Sequence, residues 1–409
     1  MLESARILSR CDELALCSEL PGGLTRVFLS PEQRAASELI LGWMREARMS
    51  ARVDAIGNVV GRYEGDRPGL PCLMLGSHLD TVRDAGRYDG MLGVVTAIEC
   101  VHALAAAGKR LPFAIEVVGF GDEEGVRFGA TLLGSRAIAG TFAAATLVAK
   151  DRDGVTLAET MRSYGLEPER IGEAARRKDE VLAYAELHIE QGPVLEAEGL
   201  PVGVVTAING FSRRRVTLKG EAGHSGTVPM SLRRDALAAA AECVLAVESV
   251  ARSEPELVGT VGRIEASPGA INVIPGEGRF TLDVRAPRDS LRESALAQML
   301  SLFESICAPR RVAVSVEVLQ DHGVSVCADW LMAQMDRAVA AEGLRVRRLP
   351  SGAGHDGMAM HALTDIAMLF VRCKGGISHN PAESITEEDA AAGARVFARF
   401  VADFVPQKP

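Results

Sequence analysis

Residues 71–108 read PCLMLGSHLDTVRDAGRYDGMLGVVTAIECVHALAAAG. The run Pro71–Ser77 is apolar without alternation, the pattern of a strand buried on both faces, whereas Val94–Gly108 carries its apolar residues at helical spacing. Strand, polar glycine-rich loop and helix together make half of a parallel βαβ unit. Buried-strand runs recur at residues 113–121 (FAIEVVGFG) and 366–373 (IAMLFVRC). The expected fold class is therefore α/β, with a mixed, largely parallel sheet.

A different rhythm begins near Phe211. Strand 213–220 (RRRVTLKG), helix 235–251, strand 257–266 (LVGTVGRIEA), strand 278–286 (GRFTLDVRA), helix 290–306 and strand 311–320 (RVAVSVEVLQ) follow in order. That βαββαβ sequence is the ferredoxin-like split motif, a two-layer unit. Buried-strand character returns after Trp330, so the motif reads as an insertion. Residues 1–211 and 329–409 are expected to form one discontinuous domain around an inserted domain of 212–328.

Composition narrows the function classes. The chain has 409 residues, 47% hydrophobic and 24% charged, enough to bury a large core. Its formal charge of −9 disfavours a nucleic-acid partner, and Arg213–Arg215 and Arg345–Arg348 are too short to track phosphates. No apolar run approaches the roughly 20 residues a membrane-spanning helix needs. The stretch MLESARILSRCDEL is charged and amphipathic, without the apolar core of a signal peptide. A cytoplasmic protein is expected. The eight cysteines are scattered without CxxC spacing, which favours reduced core thiols.

The loop after the first buried strand raises a question of charge. His78 follows that strand and Asp89 lies just before the helix, where open α/β sheets place their ligands. Asp122, Glu123 and Glu124 end the second buried strand in a row, His188 sits on the alternating stretch AYAELHIEQGP, and His379 follows the late strand in KGGISHNPAES. Acids crowded at strand ends repel one another unless a cation neutralises them. His78, Asp89, Glu124, His188 and His379 suit a pair of divalent ions bridged by Asp89, with zinc the first candidate and manganese, cobalt and nickel also compatible. Glu123, free beside Glu124, is then placed to exchange a proton with a reacting water. Asp80, two residues from His78, is expected to fix the imidazole tautomer. Singly, each residue has a plainer reading: a helix cap for Asp89, a surface side chain for His78, a solvated acid for Glu123.

The motifs GSHLDTV, YDGMLGVV, DEEGVRFG, LHIEQGPVLE, GEAGHSGTVPM, NVIPG, DVR, SGAGHD and GGISHNPAES occur in the order seen in M20-type metallo-amidohydrolases. Together they resemble the hydantoinase/carbamoylase branch, which includes N-carbamoyl-L-amino acid hydrolases, allantoate amidohydrolases and β-ureidopropionases. The resemblance covers nearly the whole chain. It implies that His78 and His188 bind one ion, Glu124 and His379 the other, that Asp89 bridges them and that Glu123 is the general base. Peptidase relatives usually carry an acid where this chain has His188, which points towards carbamoyl substrates.

The resemblance also implies that the inserted domain is both lid and dimerisation surface. Its matching residues are His224, Asn272 and Arg285. Arg285 has the fork geometry to grip a substrate carboxylate, Asn272 can bond the same group or the ureido group, and His224 can polarise the scissile carbonyl. Structural alternatives are an Arg285–Asp283 pair, a turn cap for Asn272 and a plain loop position for His224. Gln191 can read the ureido group, Gly354 can supply a backbone N–H at a turn, and His355 can contact substrate. The expected activity is hydrolysis of a linear ureido C–N bond in a small anionic substrate, allantoate or an N-carbamoyl-L-amino acid, by a homodimer. The alternatives are an aminoacylase or dipeptidase, and a catalytically idle metal-binding scaffold.

Overall fold

The computed structural model describes residues 4–407. The chain divides into two compact units, Met1–Thr206 with Val326–Pro409, and Ala207–Ser325.

The larger unit is built on a nine-stranded sheet. Its strands are β1 (Ser50–Val53), β2 (Val59–Tyr63), β3 (Cys72–His78), β4 (Ala114–Phe120), β5 (Val181–Ile189) and β6 (Val202–Ile208), with β14 (Ser325–Val326), β15 (Arg348–Ser351) and β16 (Ile366–Val371) added after the insertion. The order is β1-β2-β4-β3-β5-β16-β6-β14, with β15 also beside β6. Its centre, β4-β3-β5-β16, is parallel, while β1, β2 and β6 join antiparallel. Every residue of β3 and β4 is buried, as the unalternating apolar runs require when helices cover both faces. The helix Met91–Ala106 packs on β3, β4 and β5. Four neighbouring strands therefore point their C-terminal ends at the same edge of the sheet.

The smaller unit contains β7 (Gly210–Lys219), β8 (Gly223–His224), the helix Ala236–Arg252, β9 (Val258–Thr260), β10 (Ile264–Ser267), β11 (Val273–Ile274), β12 (Glu277–Ala286), the helix Asp289–Cys307 and β13 (Ala313–His322). Its sheet, β10-β12-β7-β13 with β9 on β12, is antiparallel throughout. Along β12, Gly278, Phe280, Leu282, Val284 and Ala286 alternate inward and join Val216, Cys243, Val247, Met299 and Phe303 in the core under the two helices. The single strand expected over 257–266 is broken. Thr260 pairs with Asp283 but Ile264 pairs with Phe280, so four residues face three and the chain bulges at Val261–Arg263.

The unit begins a few residues before the expected 212 and ends before 328, because β7 already pairs at Gly210 with Ala286. Of the amphipathic N-terminal stretch, Ser4–Ala15 is helical and residues 1–3 lie outside the described residues. No helix among the described residues is long and apolar enough to cross a membrane. All eight cysteines are unpaired, and all but Cys17 are buried.

Candidate metal centre

The parallel strands deliver the site. His78 is the last residue of β3, His188 the penultimate residue of β5, and Asp122–Glu124 follow β4 after Gly121. Asp89 lies in the loop between β3 and its helix, and His379 in the loop after β16. Asp122, Gln191 and His379 all hold left-handed backbone, with φ of 60°, 56° and 55°, a conformation that persists only where surrounding contacts over-determine it. Gly90 (φ 76°) follows Asp89, and a β-carbon there would lie 2.6 Å from the His78 ring. Only glycine allows the loop to approach the imidazole so closely.

Asp89 stands at the centre. Its Oδ1 lies 3.2 Å from His188 Nε2 and 3.5 Å from His78 Nε2, and its Oδ2 lies 3.3 Å from His379 Nε2. His379 Nε2 is also 3.3 Å from Glu124 Oε1. Two groups result, His78–Asp89–His188 and Asp89–Glu124–His379, each with donor atoms close enough to hold one metal ion and both sharing Asp89. Nitrogen and oxygen donors in these sets fit a borderline divalent ion. Asp89 Oδ1 is buried with only the two imidazole Nε2 atoms beside it, and a cation there would satisfy an acceptor that is costly to leave unpaired.

The tautomers agree with ligation. His78 Nδ1–H donates to the Asp80 backbone carbonyl at 2.9 Å and His188 Nδ1–H to the Ile189 carbonyl at 2.9 Å, which leaves Nε2 as the acceptor atom of each neutral ring; His188 Nε2 accepts the Gly90 N–H at 3.2 Å. The Asp80 carboxylate is more distant from the ring, 4.0 Å at Oδ1. Instead it accepts the backbone N–H groups of Glu123 at 3.0 Å and Glu124 at 3.2 Å. Asp80 therefore holds the imidazole through its main-chain carbonyl, and its carboxylate serves the backbone of Glu123 and Glu124.

Electrostatics follow from this crowding. Burial opposes charge on Asp89, but bonds to His188, His379 and His78 outweigh it and hold its carboxyl well below the usual range. Bonds to Asp89 and Glu124 raise the His379 imidazole to about 10. Burial, then the charge of Glu124, push the Glu123 carboxyl well above its ordinary value. Glu123 is 9% exposed, and its Oε1 would lie 3.5 Å from a β-carbon at Gly354, so Gly354 borders its carboxyl group.

Other expected residues are placed differently. Gln191 Nε2 donates to Asp89 Oδ2 at 3.0 Å and to Ser378 Oγ at 3.2 Å, so its amide nitrogen steadies the shared ligand. His355 is 1% exposed; its ring sits edge-on to His188 with centroids 4.5 Å apart, and its Nε2 lies 2.7 Å from Ser351 Oγ. It faces His188 and not solvent.

His224, Asn272 and Arg285 belong to the smaller unit. His224 pairs with Val273 across β8 and β11, its Nδ1 accepts the Gly226 N–H at 3.0 Å, and Ser225 N–H donates to the Asn272 carbonyl at 3.0 Å. This tip adjoins the Glu277 end of β12, whereas Arg285 lies near the other end and forks onto Asp283 at 3.1 and 2.9 Å. Within one chain the sheet does not bring the three together.

Sequence reading gives no role to two groups. Glu186 accepts Ser77 Oγ–H at 2.8 Å and Tyr184 O–H at 3.0 Å beneath the centre, its signal being an acid in an otherwise buried strand. Glu383, in the motif that carries His379, bonds the Asp89 loop. Nothing in the linear sequence relates those two segments.

Residues 74–403 match peptidase family M20/M25/M40, a span that includes every candidate ligand of the centre. The chain belongs to that family. It is 43% identical over 397 residues to the N-carbamoyl-L-amino acid amidohydrolase of Geobacillus stearothermophilus, covering 97% of both chains. It is 40% identical over 425 residues to a probable allantoate deiminase of Oryza sativa subsp. japonica, covering 96% of this chain and 87% of the other. A hydantoinase/carbamoylase family amidase from Burkholderia multivorans superposes with a TM-score of 0.92 at 33% identity over 99% of each chain. The protein is thus an amidohydrolase of the hydantoinase/carbamoylase branch, in a metal-dependent family, and presents the ligand groups such an enzyme needs.

Proposed function

We propose that the protein hydrolyses the C–N bond of a linear ureido group in a small carboxylate substrate, allantoate or an N-carbamoyl-L-amino acid. The observation that carries this reading is the division of Asp89, with Oδ1 towards His78 and His188 and Oδ2 towards His379. Relatives acting on both substrates align over nearly the whole chain. His78, His188, Glu124 and His379 would hold two divalent ions with Asp89 between them, zinc first, then manganese, cobalt or nickel. Such a pair, when bound, acidifies water and polarises a carbonyl.

The chain's own groups do the rest. Glu123 takes the water proton and returns it to the departing nitrogen. Its raised pKa makes the carboxylate a better base and keeps the acid form available for the return. Asp80 sets its direction through the backbone, and Gly354 borders it.

Arg285 grips the substrate carboxylate, while Asn272 and His224 bind the ureido group and its developing oxyanion. Eight residues of strand separate Glu277 from Arg285, about 26 Å at roughly 3.3 Å per residue. A small substrate cannot span that. His224 and Asn272 are therefore read as serving the site of a second copy, in a homodimer formed through the smaller unit. The unpaired cysteines and the net charge of −9 support a cytoplasmic protein without a nucleic-acid partner.

Ammonia and amine release should be measured with allantoate, N-carbamoyl-L-amino acids, N-carbamoyl-β-alanine, N-acetyl amino acids and dipeptides. Turnover confined to the last two would replace this reading with the aminoacylase or dipeptidase one. A catalytically idle scaffold has no use for Glu123 and would turn over none of them.

A further inference from the structure

We propose that Glu383 is a positioning residue for the metal centre, clasping the Asp89 loop to the His379 loop so that the two ligands meet. This rests on the reading of Asp89 and His379 as metal ligands.

Glu383 is only 4% exposed. Its Oε1 accepts two successive backbone N–H groups, Tyr88 at 2.8 Å and Asp89 at 3.2 Å. Its Oε2 lies 3.0 Å from Ser378 Oγ, and that hydroxyl is 2.9 Å from Asp89 Oδ2. One side chain thus holds the Asp89 backbone directly and shares with the Asp89 carboxylate the single donor of Ser378 Oγ. Its own backbone N–H donates to the Asn380 carbonyl at 3.0 Å, closing the turn that follows His379.

The packing is equally specific. A β-carbon on Gly86 would lie 2.1 Å from Glu383 Cδ, so the Asp89 loop rests on the carboxylate with no side chain between. A second buried carboxylate beside Asp89 is electrostatically unfavourable, and an apolar side chain would fill the space at less cost. The acceptor geometry is what the acid supplies. Without it, two backbone N–H groups beside Asp89 lose their partner, and a ligand shared by two ions loses the rigidity that places each oxygen.

The test uses the full chain, stripped of metal and titrated with zinc, with bound metal read by elemental analysis and folding by circular dichroism. Glu383→Ala should keep its fold and weaken zinc binding by about 10–100-fold in at least one step, the range for losing a partner of a metal ligand. Glu383→Gln should stay within about threefold of wild type, because its amide oxygen still accepts the Tyr88 and Asp89 N–H groups and its NH2 can donate to Ser378. Gly86→Ala, which displaces the carboxylate without removing it, should behave like Glu383→Ala. If Glu383→Ala does not fold, Gly86→Ala and Glu383→Gln decide the matter. Wild-type zinc affinity in a folded Glu383→Ala or in Gly86→Ala overturns the proposal. If those variants bind normally while Asp89→Ala loses both ions, the metal centre stands and Glu383 has no part in it. If Asp89→Ala keeps both ions, the reading of the centre itself fails, and the proposal with it.

Discussion

The carboxylate of Asp80 accepts the backbone N–H of Glu123 at 3.0 Å. Glu123, the proposed general base, is therefore aimed by an acid on the neighbouring strand's loop, while the same residue's carbonyl holds His78. These two duties separate on mutation. Asp80→Ala keeps the carbonyl, so zinc content should remain near wild type, while kcat falls by more than tenfold and the two orphaned N–H groups cost about 1–3 kcal/mol each. Elemental analysis beside kcat checks this; parallel loss of zinc would return the carboxylate to a role on the imidazole.

Glu123 and Glu124 are adjacent acids with different assignments. Glu123→Gln preserves all five proposed ligands, so metal should stay bound while kcat falls by about 10²–10⁴-fold. Glu124→Gln should weaken one site and regain activity at raised metal concentration. Metal loss in the first variant and not the second would reverse the two roles.

In the metal-free protein, bonds to Asp89 and Glu124 raise His379 to about 10. Burial works against charge on His78 and His188, but Asp89 and nearby acids outweigh it and raise both. His379 therefore carries a proton at neutral pH, His78 and His188 hold theirs more firmly than a free imidazole, and an ion binds only the neutral form. Zinc binding should release protons, and affinity should fall as pH drops from 8 to 6. Calorimetry in two buffers of different ionisation enthalpy reads this directly; equal heats would show that no proton leaves.

The separation of His224 from Arg285 along the β7–β12 sheet predicts complementation. Arg285→Ala should mainly raise KM, and His224→Ala should mainly lower kcat. Mixed dimers of the two variants should recover up to half of wild-type activity, because one of their two sites then has both residues intact. Light scattering should report a dimer. A fully active monomer, or no recovery on mixing, would place His224 in its own chain's site or outside catalysis.

The α/β architecture and the inserted βαββαβ unit are legible in the linear chain, as are the candidates His78, Asp89, Glu123, Glu124, His188 and His379 that the fold gathers. Burial on two faces forces unbroken apolar runs such as Cys72–His78, one-sided burial forces alternation such as Gly278–Ala286, and ligands fall where those runs stop. Direction and pairing are not legible. That Asp80 acts on His78 through its carbonyl, that Gln191 turns its amide nitrogen to Asp89, that His355 packs against His188, and that Glu383 reaches back 294 residues to the Asp89 backbone depend on which strands lie side by side. Hydrogen bonds are short and directional, so they are settled only when the order β4-β3-β5-β16 brings four loops to one edge. Residue type and periodicity record what must be buried or charged; only the folded chain decides which donor meets which acceptor.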